Sequence, residues 1–160
     1  MRPGRIYLGA GVYRSTSQIQ PSGWYRILKL TNSNNTSQCF LFWASNKFQN
    51  NATRDYLFLI STGGLITDTS TSNNSHVYIQ QIGLGNKSTT SILMKQIRIV
   101  QDGSDHYLDI NFNLSGGQGN ITYFKMIPFS SSSSAPTFSI GTEIGDSVTV
   151  LTSKNMENLT

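Results

Sequence analysis

The sequence predicts an all-β protein, specifically a jelly-roll-like antiparallel β-sandwich, for this chain of 160 residues. In several runs, apolar and polar residues alternate with the period of two that is typical of a pleated strand. Serine, threonine and asparagine make up about a third of the chain, and their short side chains compete with a helix for backbone hydrogen bonds. Turn residues recur about every ten residues and divide the chain into about eight to ten short strands. Together these observations predict one domain with a single core.

The clearest element is a hairpin that runs from Lys95 to Leu114. Its two arms alternate between apolar and polar residues, and the segment Gln101 to Asp105 between them is rich in Asp and Gly. Aspartate side chains and the glycine Gly103 favour the reversal of a chain. The hairpin is therefore predicted to bury one face, which comprises Ile97, Ile99, Leu108, Ile110, Phe112 and Leu114.

The N-terminal part of the chain is predicted to be a lead-in segment, residues 1–20, with a short strand at Val12 and Tyr13. Turn residues from Pro21 to Gly23 separate this segment from a strand that runs from Trp24 to Leu30. Both faces of that strand carry apolar and aromatic side chains. The alternation therefore leaves open which face is buried.

Two continuous apolar runs, Cys39 to Ala44 and Tyr56 to Ile60, predict strands that are buried on both faces. The only cysteine, Cys39, is interpreted as a small buried thiol. The polar segment Asn46 to Asp55 between the two runs is predicted to be a loop. The predicted core of the whole domain comprises Tyr25, Ile27, Phe40, Phe42, Leu57, Leu59, Ile97, Ile99, Leu108, Ile110 and Phe112.

The rest of the chain completes the sandwich, which is predicted to span residues 21–153 and to be followed by a tail at 154–160. A long run of Thr, Ser, Asn and Asp, from Thr67 to Ser75, predicts an exposed loop. The remaining predicted strands are Val77 to Ile82, Ile121 to Ile127, Phe138 to Ile140 and Ser147 to Leu151.

The charge pattern argues against nucleic acid as a partner. The net charge is +4, but the twelve basic residues are scattered singly along the chain. Binding to nucleic acid normally requires clustered basic groups that displace counterions. No run approaches the eighteen or so apolar residues of a membrane span, and no apolar stretch of a secretion signal follows Met1. We therefore expect neither membrane insertion nor nucleic-acid binding.

The acidic and histidine residues show no catalytic spacing, and the sequence therefore predicts that the protein is not an enzyme. Of the eight carboxylates, only Asp102, Asp105 and Asp109 cluster, and the first two serve the predicted turn. A glycosidase requires two facing carboxylates. His76 and His106 lack partners at the spacing of zinc ligands, and we expect both to be solvated. No catalytic residue, metal site or cofactor is predicted.

The aromatic residues leave a choice between core packing and exposure. Core packing is favoured for Trp43 and Phe58, which lie in the continuous apolar runs. For Trp24, Tyr78 and Tyr107 the alternation places the ring opposite an apolar face. Such rings pack inside, stack on sugars or meet another subunit.

Four short motifs, in their order along the chain, resemble the C-terminal domains of tail-fibre or receptor-binding proteins of bacteriophages and prophages. The motifs are strand-forming, and the resemblance covers about Pro21 to Thr152. Only some twenty residues precede the first motif, whereas family members carry a longer shaft. The motifs are Gly23-Trp24-Tyr25-Arg26-Ile27, Ile97-Arg98-Ile99-Val100, Tyr107-Leu108-Asp109-Ile110 and Asn120-Ile121.

The resemblance implies a jelly-roll-like sandwich, a homotrimer, assembly with other virion proteins, and adhesion to a glycan or protein on a bacterial surface. It also implies that the protein is synthesised in the host cytoplasm and is incorporated into the virion. Apolar residues on both faces of two strands independently predict self-association. Two alternatives stay open: a purely structural or assembly component of the virion, such as a fibre base or head decoration, and a cellular carbohydrate-binding module.

Receptor contacts are expected in loops, where polar groups can meet sugar hydroxyls without cost to the core. The best candidate segments are Thr67 to Ser75 and Asn46 to Asn51. The predicted receptor-binding residues are Asn50, Asn51, Thr67, Asp68, Asn73, Asn74 and Tyr78.

Overall fold

The computed structural model describes residues 12–14, 23–30, 38–48, 52–63, 76–83, 94–112, 120–129, 136–139, 143–144 and 147–156. These residues form eleven strands and include no helix, so the predicted all-β class is confirmed. The strands are β1 (Val12–Arg14), β2 (Gly23–Leu30), β3 (Gln38–Phe48), β4 (Ala52–Gly63), β5 (His76–Gly83), β6 (Met94–Asp102), β7 (Asp105–Phe112), β8 (Asn120–Pro128), β9 (Thr137–Phe138), β10 (Glu143–Ile144) and β11 (Thr149–Asn155).

The strands form two antiparallel sheets that share one core. Sheet A has the order β1-β8-β3-β4-β5, and sheet B has the order β10-β2-β7-β6-β11, with β9 also paired to β2. One continuous cluster of buried side chains draws on both sheets. Strand β11 of sheet B also lies against β5 of sheet A. The arrangement is therefore consistent with a β-sandwich.

The predicted hairpin is formed by β6 and β7. Ile97 pairs with Ile110 and Ile99 with Leu108, and all four side chains are fully buried. At the turn, Gly103 has a φ of 61°, in the left-handed region that a residue without a Cβ enters at little cost. The predicted turn is confirmed, and the predicted buried face is confirmed for its described residues. Leu114, which was also assigned to that face, lies outside the described residues.

Strand β2 contains a β-bulge that settles which of its faces is buried. The pairing with β7 shifts between Arg26 and Leu28, so the side chains change phase at this point. Tyr25 before the shift and Leu28 and Leu30 after it are all buried, together with Ile27. A bulge inserts one extra residue into a strand, and residues that alternation assigned to opposite faces thereby reach the same core.

The two continuous apolar strands were expected to be buried on both faces, but the structure buries only one face of each. In β3 and β4 the fully buried residues are Phe40, Phe42, Ala44, Tyr56, Phe58 and Ile60. Leu57 and Leu59, which were predicted to lie in the core, are only half-buried, so this prediction is wrong. Phe58 pairs with Phe42, and cross-strand partners share a face of the sheet, so the neighbours of Phe58 point outward.

Two further expectations for β3 are also wrong. Cys39 and Trp43 were expected to be buried, but both are half-buried on the outer face of sheet A. The β3–β4 hairpin is also longer than predicted, since its pairing continues to Phe48 opposite Ala52. Residues 46–48 and 52–55, which were predicted to be loop, therefore belong to strands. The backbone pairing of β3 with β4 extends beyond the apolar residues from which the strands were predicted.

The ends of the described chain also belong to the sheets. Strand β1, within the predicted lead-in segment, pairs with β8 at the edge of sheet A. Strand β11 pairs with β6 as far as Asn155, and Met156 after it is buried.

Candidate functional site

Most of the predicted receptor-binding residues lie outside the described part of the chain: Asn50, Asn51, Thr67, Asp68, Asn73 and Asn74. Tyr78 is described, and it lies on β5 at the edge of sheet A. Its side chain is 47% exposed, and its hydroxyl donates a hydrogen bond of 2.9 Å to Oε1 of Gln80.

The outer face of sheet A, on which Tyr78 lies, is unusually apolar, and we call it the apolar face. Leu41 is paired with Leu59 on one side and with Ile127 on the other. In the next row, Trp43 is paired with Leu57. These five residues are half-buried, and Ile82 at the edge of the same sheet is 43% exposed. Contiguous apolar surface of this kind usually marks an interaction site.

The outer face of sheet B carries a different set of side chains, which we call the ionic cluster: Trp24, Arg26, Arg98, Tyr107 and Asp109. The register of the strands creates it, because Asp109 on β7 is paired with Arg26 on β2 and with Arg98 on β6. These three residues therefore form one row across three strands. Tyr107 precedes Asp109 by two residues and so shares its face.

The carboxylate of Asp109 lies between the two guanidinium groups and is fully buried. Oδ1 of Asp109 is 3.6 Å from Nε of Arg26, and Oδ2 is 3.4 Å from Nε of Arg98. These separations allow ion pairing but are longer than good hydrogen bonds. The side chain of Arg98 is 6% exposed and that of Asp109 is 0% exposed, so the centre of the cluster is largely shielded from water.

Aromatic rings complete the shielding of the two arginines. The Cζ atom of Arg26 lies 3.5 Å from the centre of the Tyr107 ring, and that of Arg98 lies 3.8 Å from the centre of the Trp24 ring. Guanidinium groups stack favourably on aromatic faces. The arginines thus hold both rings in place on the outer face of sheet B.

A second set of ion pairs lies at the hairpin end of the cluster. Nη1 of Arg26 donates to Oδ2 of Asp102 at 2.9 Å. Nζ of Lys29 donates to Oδ2 of Asp105 at 2.7 Å, and the Tyr107 hydroxyl donates to the same oxygen at 3.1 Å. Three cationic side chains therefore face three carboxylates, and the positive and negative charges of these six side chains balance.

Burial and pairing shift the pKa values of this surface in opposite directions. Burial raises the pKa of Asp109, and the charges of Arg26 and Arg98 oppose this rise. Hydrogen bonds from Lys29 and Tyr107 lower the pKa of Asp105. The hydrogen bond to Asp105 raises the pKa of Lys29. A raised carboxyl pKa beside two arginines means that desolvation outweighs the attraction between the charges.

The raised pKa of Asp109 predicts a pH-dependent stability. Protons bind more tightly to this carboxyl in the folded chain than at the ordinary pKa of 3.8, so its contribution is fully present below that pKa. As pH rises from 3.8 through the folded pKa, this contribution is lost. We therefore compare the free energies of unfolding of wild type and Asp109→Asn. The value for wild type minus the value for the variant is expected to decrease as pH rises through this window.

Denaturant melts of the two proteins at a series of pH values measure this difference, and the contribution of Asp105 cancels because both proteins contain it. A difference that rises with pH would show that the arginines lower the pKa of Asp109 below its ordinary value.

A row of neutral polar side chains lies beside the ionic cluster. Trp24 on β2 is paired with Asn111 on β7, Asn111 with Gln96 on β6, and Gln96 with Asn155 on β11. The first three side chains are partly exposed and Asn155 is exposed. We call these four residues the amide row.

The sequence only partly predicted these two surfaces. It left Trp24 and Tyr107 open between the core and an outer face, and the structure places both on the outer face of sheet B. Sequence patterns alone did not identify Arg26 and Arg98 as site residues. Their opposite charge to Asp109 becomes informative only when the pairing of β2, β7 and β6 is known. His106 was expected to be solvated, but it is 0% exposed, because it shares the inward face with Leu108.

Among the described residues, no group of three or more His, Cys, Asp or Glu side chains is placed to hold a metal ion. The same part of the chain contains no helix long and apolar enough to cross a membrane.

Comparison with known proteins finds no match: no protein-family model fits the chain, and no curated protein or solved structure is significantly similar to it.

Proposed function

We propose that this chain is a self-associating, non-enzymatic domain of a virion fibre that attaches the particle to a glycan or protein on a bacterial surface. In this proposal the domain is a jelly-roll-like sandwich and forms a homotrimer. The observation that carries it is the apolar face of sheet A.

The apolar face supports self-association because its composition suits a buried surface. Leu41, Trp43, Leu57, Leu59 and Ile127 are contiguous across β8, β3 and β4. Burial of such surface between subunits contributes about 25 cal/mol per Å² removed from water. A closed symmetric assembly covers the same face on every subunit, whereas an open one would continue to polymerise.

The connectivity of sheet A supports the jelly-roll-like part of the proposal. Strands β3, β4 and β5 follow one another, and β8 returns to lie beside β3. The spatial order β8-β3-β4-β5 resembles that of a Greek key, the motif from which jelly rolls are built, with β6 and β7 of sheet B placed between β5 and β8 along the chain.

The ion pairs on sheet B support the non-enzymatic part of the proposal. Asp102, Asp105 and Asp109 are each engaged with a lysine or an arginine. A general acid and base need carboxyls that are free to exchange protons with a substrate. These three carboxylates instead serve to hold the outer face of sheet B together.

Self-association is tested by placing a charge in the apolar face. Sedimentation equilibrium at micromolar concentration is expected to show a trimer for wild type and a monomer for Leu59→Lys. The matched control is Val150→Lys on sheet B, where Val150 is similarly apolar and 49% exposed; this variant should remain a trimer. Circular dichroism would verify that both variants retain their strands.

A wild-type monomer at these concentrations would contradict the proposed assembly. Attachment to bacterial cells tests the adhesive part separately. A trimer that binds no cells would exclude adhesion and leave the purely structural virion role.

A further inference from the structure

We propose that the amide row on the outer face of sheet B binds a neutral oligosaccharide. This inference rests on the proposed adhesive function and assigns its ligand contacts to a strand surface, whereas the sequence favoured loops.

The geometry of the amide row suits an extended ligand. Its members lie on four strands that are neighbours in sheet B: Trp24 on β2, Asn111 on β7, Gln96 on β6 and Asn155 on β11. Neighbouring strands are about 4.8 Å apart, so the row is about 14 Å long. Its side chains are therefore spaced to contact several units of a chain and not a single sugar.

The chemistry of the row matches that of sugars. Each amide offers both a donor and an acceptor of hydrogen bonds, and a sugar hydroxyl needs one of each. The ring of Trp24 supplies the apolar surface on which the C–H face of a sugar rests. One end of the row is thus apolar and the rest polar, which fixes the direction of the bound chain.

The ionic cluster prepares this row for binding. Arg98 is stacked on Trp24 at 3.8 Å, and its side chain is only 6% exposed, so the ring is held in one orientation before a ligand arrives. A preformed site loses less conformational entropy when it binds.

The balance of charge selects a neutral ligand. Arg26, Arg98 and Lys29 are all paired with carboxylates, so these three cations are already neutralised and are poor partners for an acidic polysaccharide. Asp109 and its partners act here as positioning residues, and the contacts to sugar come from the amide row.

Tryptophan fluorescence can report on this site directly. The chain has two tryptophans, and Trp43 lies on the other sheet, so a Trp43→Phe background leaves Trp24 as the only reporter. The probes are short uncharged oligomers of glucose, galactose and N-acetylglucosamine, with a galacturonic acid oligomer as the charged comparison. We expect a saturable change in Trp24 emission with at least one neutral oligomer.

Variants in the same background identify the contacts. Asn111→Ala removes hydrogen bonds to the ligand and should weaken binding about 3- to 10-fold. The matched control is Gln80→Ala, which removes an exposed amide from the outer face of sheet A and should leave affinity unchanged. A Trp24→Phe variant, followed by calorimetry in the otherwise wild-type protein, checks the aromatic contact without the optical signal.

Three results would overturn the inference: unchanged affinity in Asn111→Ala, preference for the acidic oligomer, or no binding of any oligomer. Attachment of the wild-type protein to bacterial cells tests the proposed adhesive function separately from the proposed oligosaccharide site. Cells that are bound equally by wild type and Asn111→Ala would retain the adhesive role and place its contacts elsewhere.

Discussion

Replacing Asp109 with Ala is expected to lower the free energy of unfolding by about 3 to 5 kcal/mol, the usual cost of removing one partner from a buried ion pair. Asp109 is 0% exposed and is the carboxylate that separates Arg26 from Arg98. Without it, two guanidinium groups face each other in a space that water reaches poorly. Urea or guanidinium melts of the two proteins at neutral pH measure the loss.

A charge-free replacement distinguishes this explanation from simple loss of packing. In the triple variant Arg26→Met, Arg98→Met, Asp109→Leu, no charge is left unpaired, and apolar replacement of buried ion pairs is often neutral or stabilising. We expect the triple variant to recover most of the stability that Asp109→Ala loses. A loss below about 1 kcal/mol for Asp109→Ala would show that the arginines are well solvated without their partner.

Truncation of Ile110 to Ala is expected to lower the free energy of unfolding by about 2 to 5 kcal/mol. Ile110 lies on the central strand β7, is paired with Tyr25 on one side and Ile97 on the other, and is 0% exposed. Its removal leaves a cavity in the shared core, and the strands on both sides limit how far the core can collapse.

The control for this experiment is the same substitution at an exposed isoleucine. Ile82 is 43% exposed on the edge strand of sheet A, so Ile82→Ala should cost less than about 1 kcal/mol. Equilibrium denaturation of both variants gives the comparison. A loss below about half a kcal/mol at Ile110 would contradict its place in the core.

Substitutions on the two outer faces are expected to affect different properties of the protein. On sheet B, the paired charges of Asp109 and Arg98 are buried, so changes at Asp109 are expected to act first on folding and then on the orientation of Trp24. On sheet A, the apolar residues are half-buried, so a charge at Leu59 should act on assembly with little effect on the core. Measuring unfolding and assembly in the same variants separates these two roles.

Local patterns in the sequence predicted the elements in which neighbouring residues carry enough information. The alternation from Lys95 to Leu114 predicted a hairpin with one buried face, and residues Ile97, Ile99, Leu108 and Ile110 are all buried. Gly103 between its arms was predicted from the same segment, because a left-handed turn residue is a local requirement. The all-β class likewise followed from composition and period.

The burial of continuous apolar strands could not be predicted locally. In the run from Tyr56 to Ile60 every residue is apolar, so no alternation indicates a direction. Pairing of Phe58 with Phe42 decided which side faced the core, and it placed Leu57 and Leu59 outside. That choice created the apolar face on which the proposed assembly depends.

By itself, the sequence determined the all-β class, the central hairpin and its buried face, since these follow from short-range period and turn chemistry. Only the tertiary structure decided the faces of β2, because a bulge after Arg26 changes the phase of the strand without an obvious local signal. It also decided the ionic cluster, since Arg26, Arg98 and Asp109 are distant along the chain and meet only when β2, β7 and β6 are paired in register. Register depends on the core packing of both sheets together, and that information is spread over the whole chain.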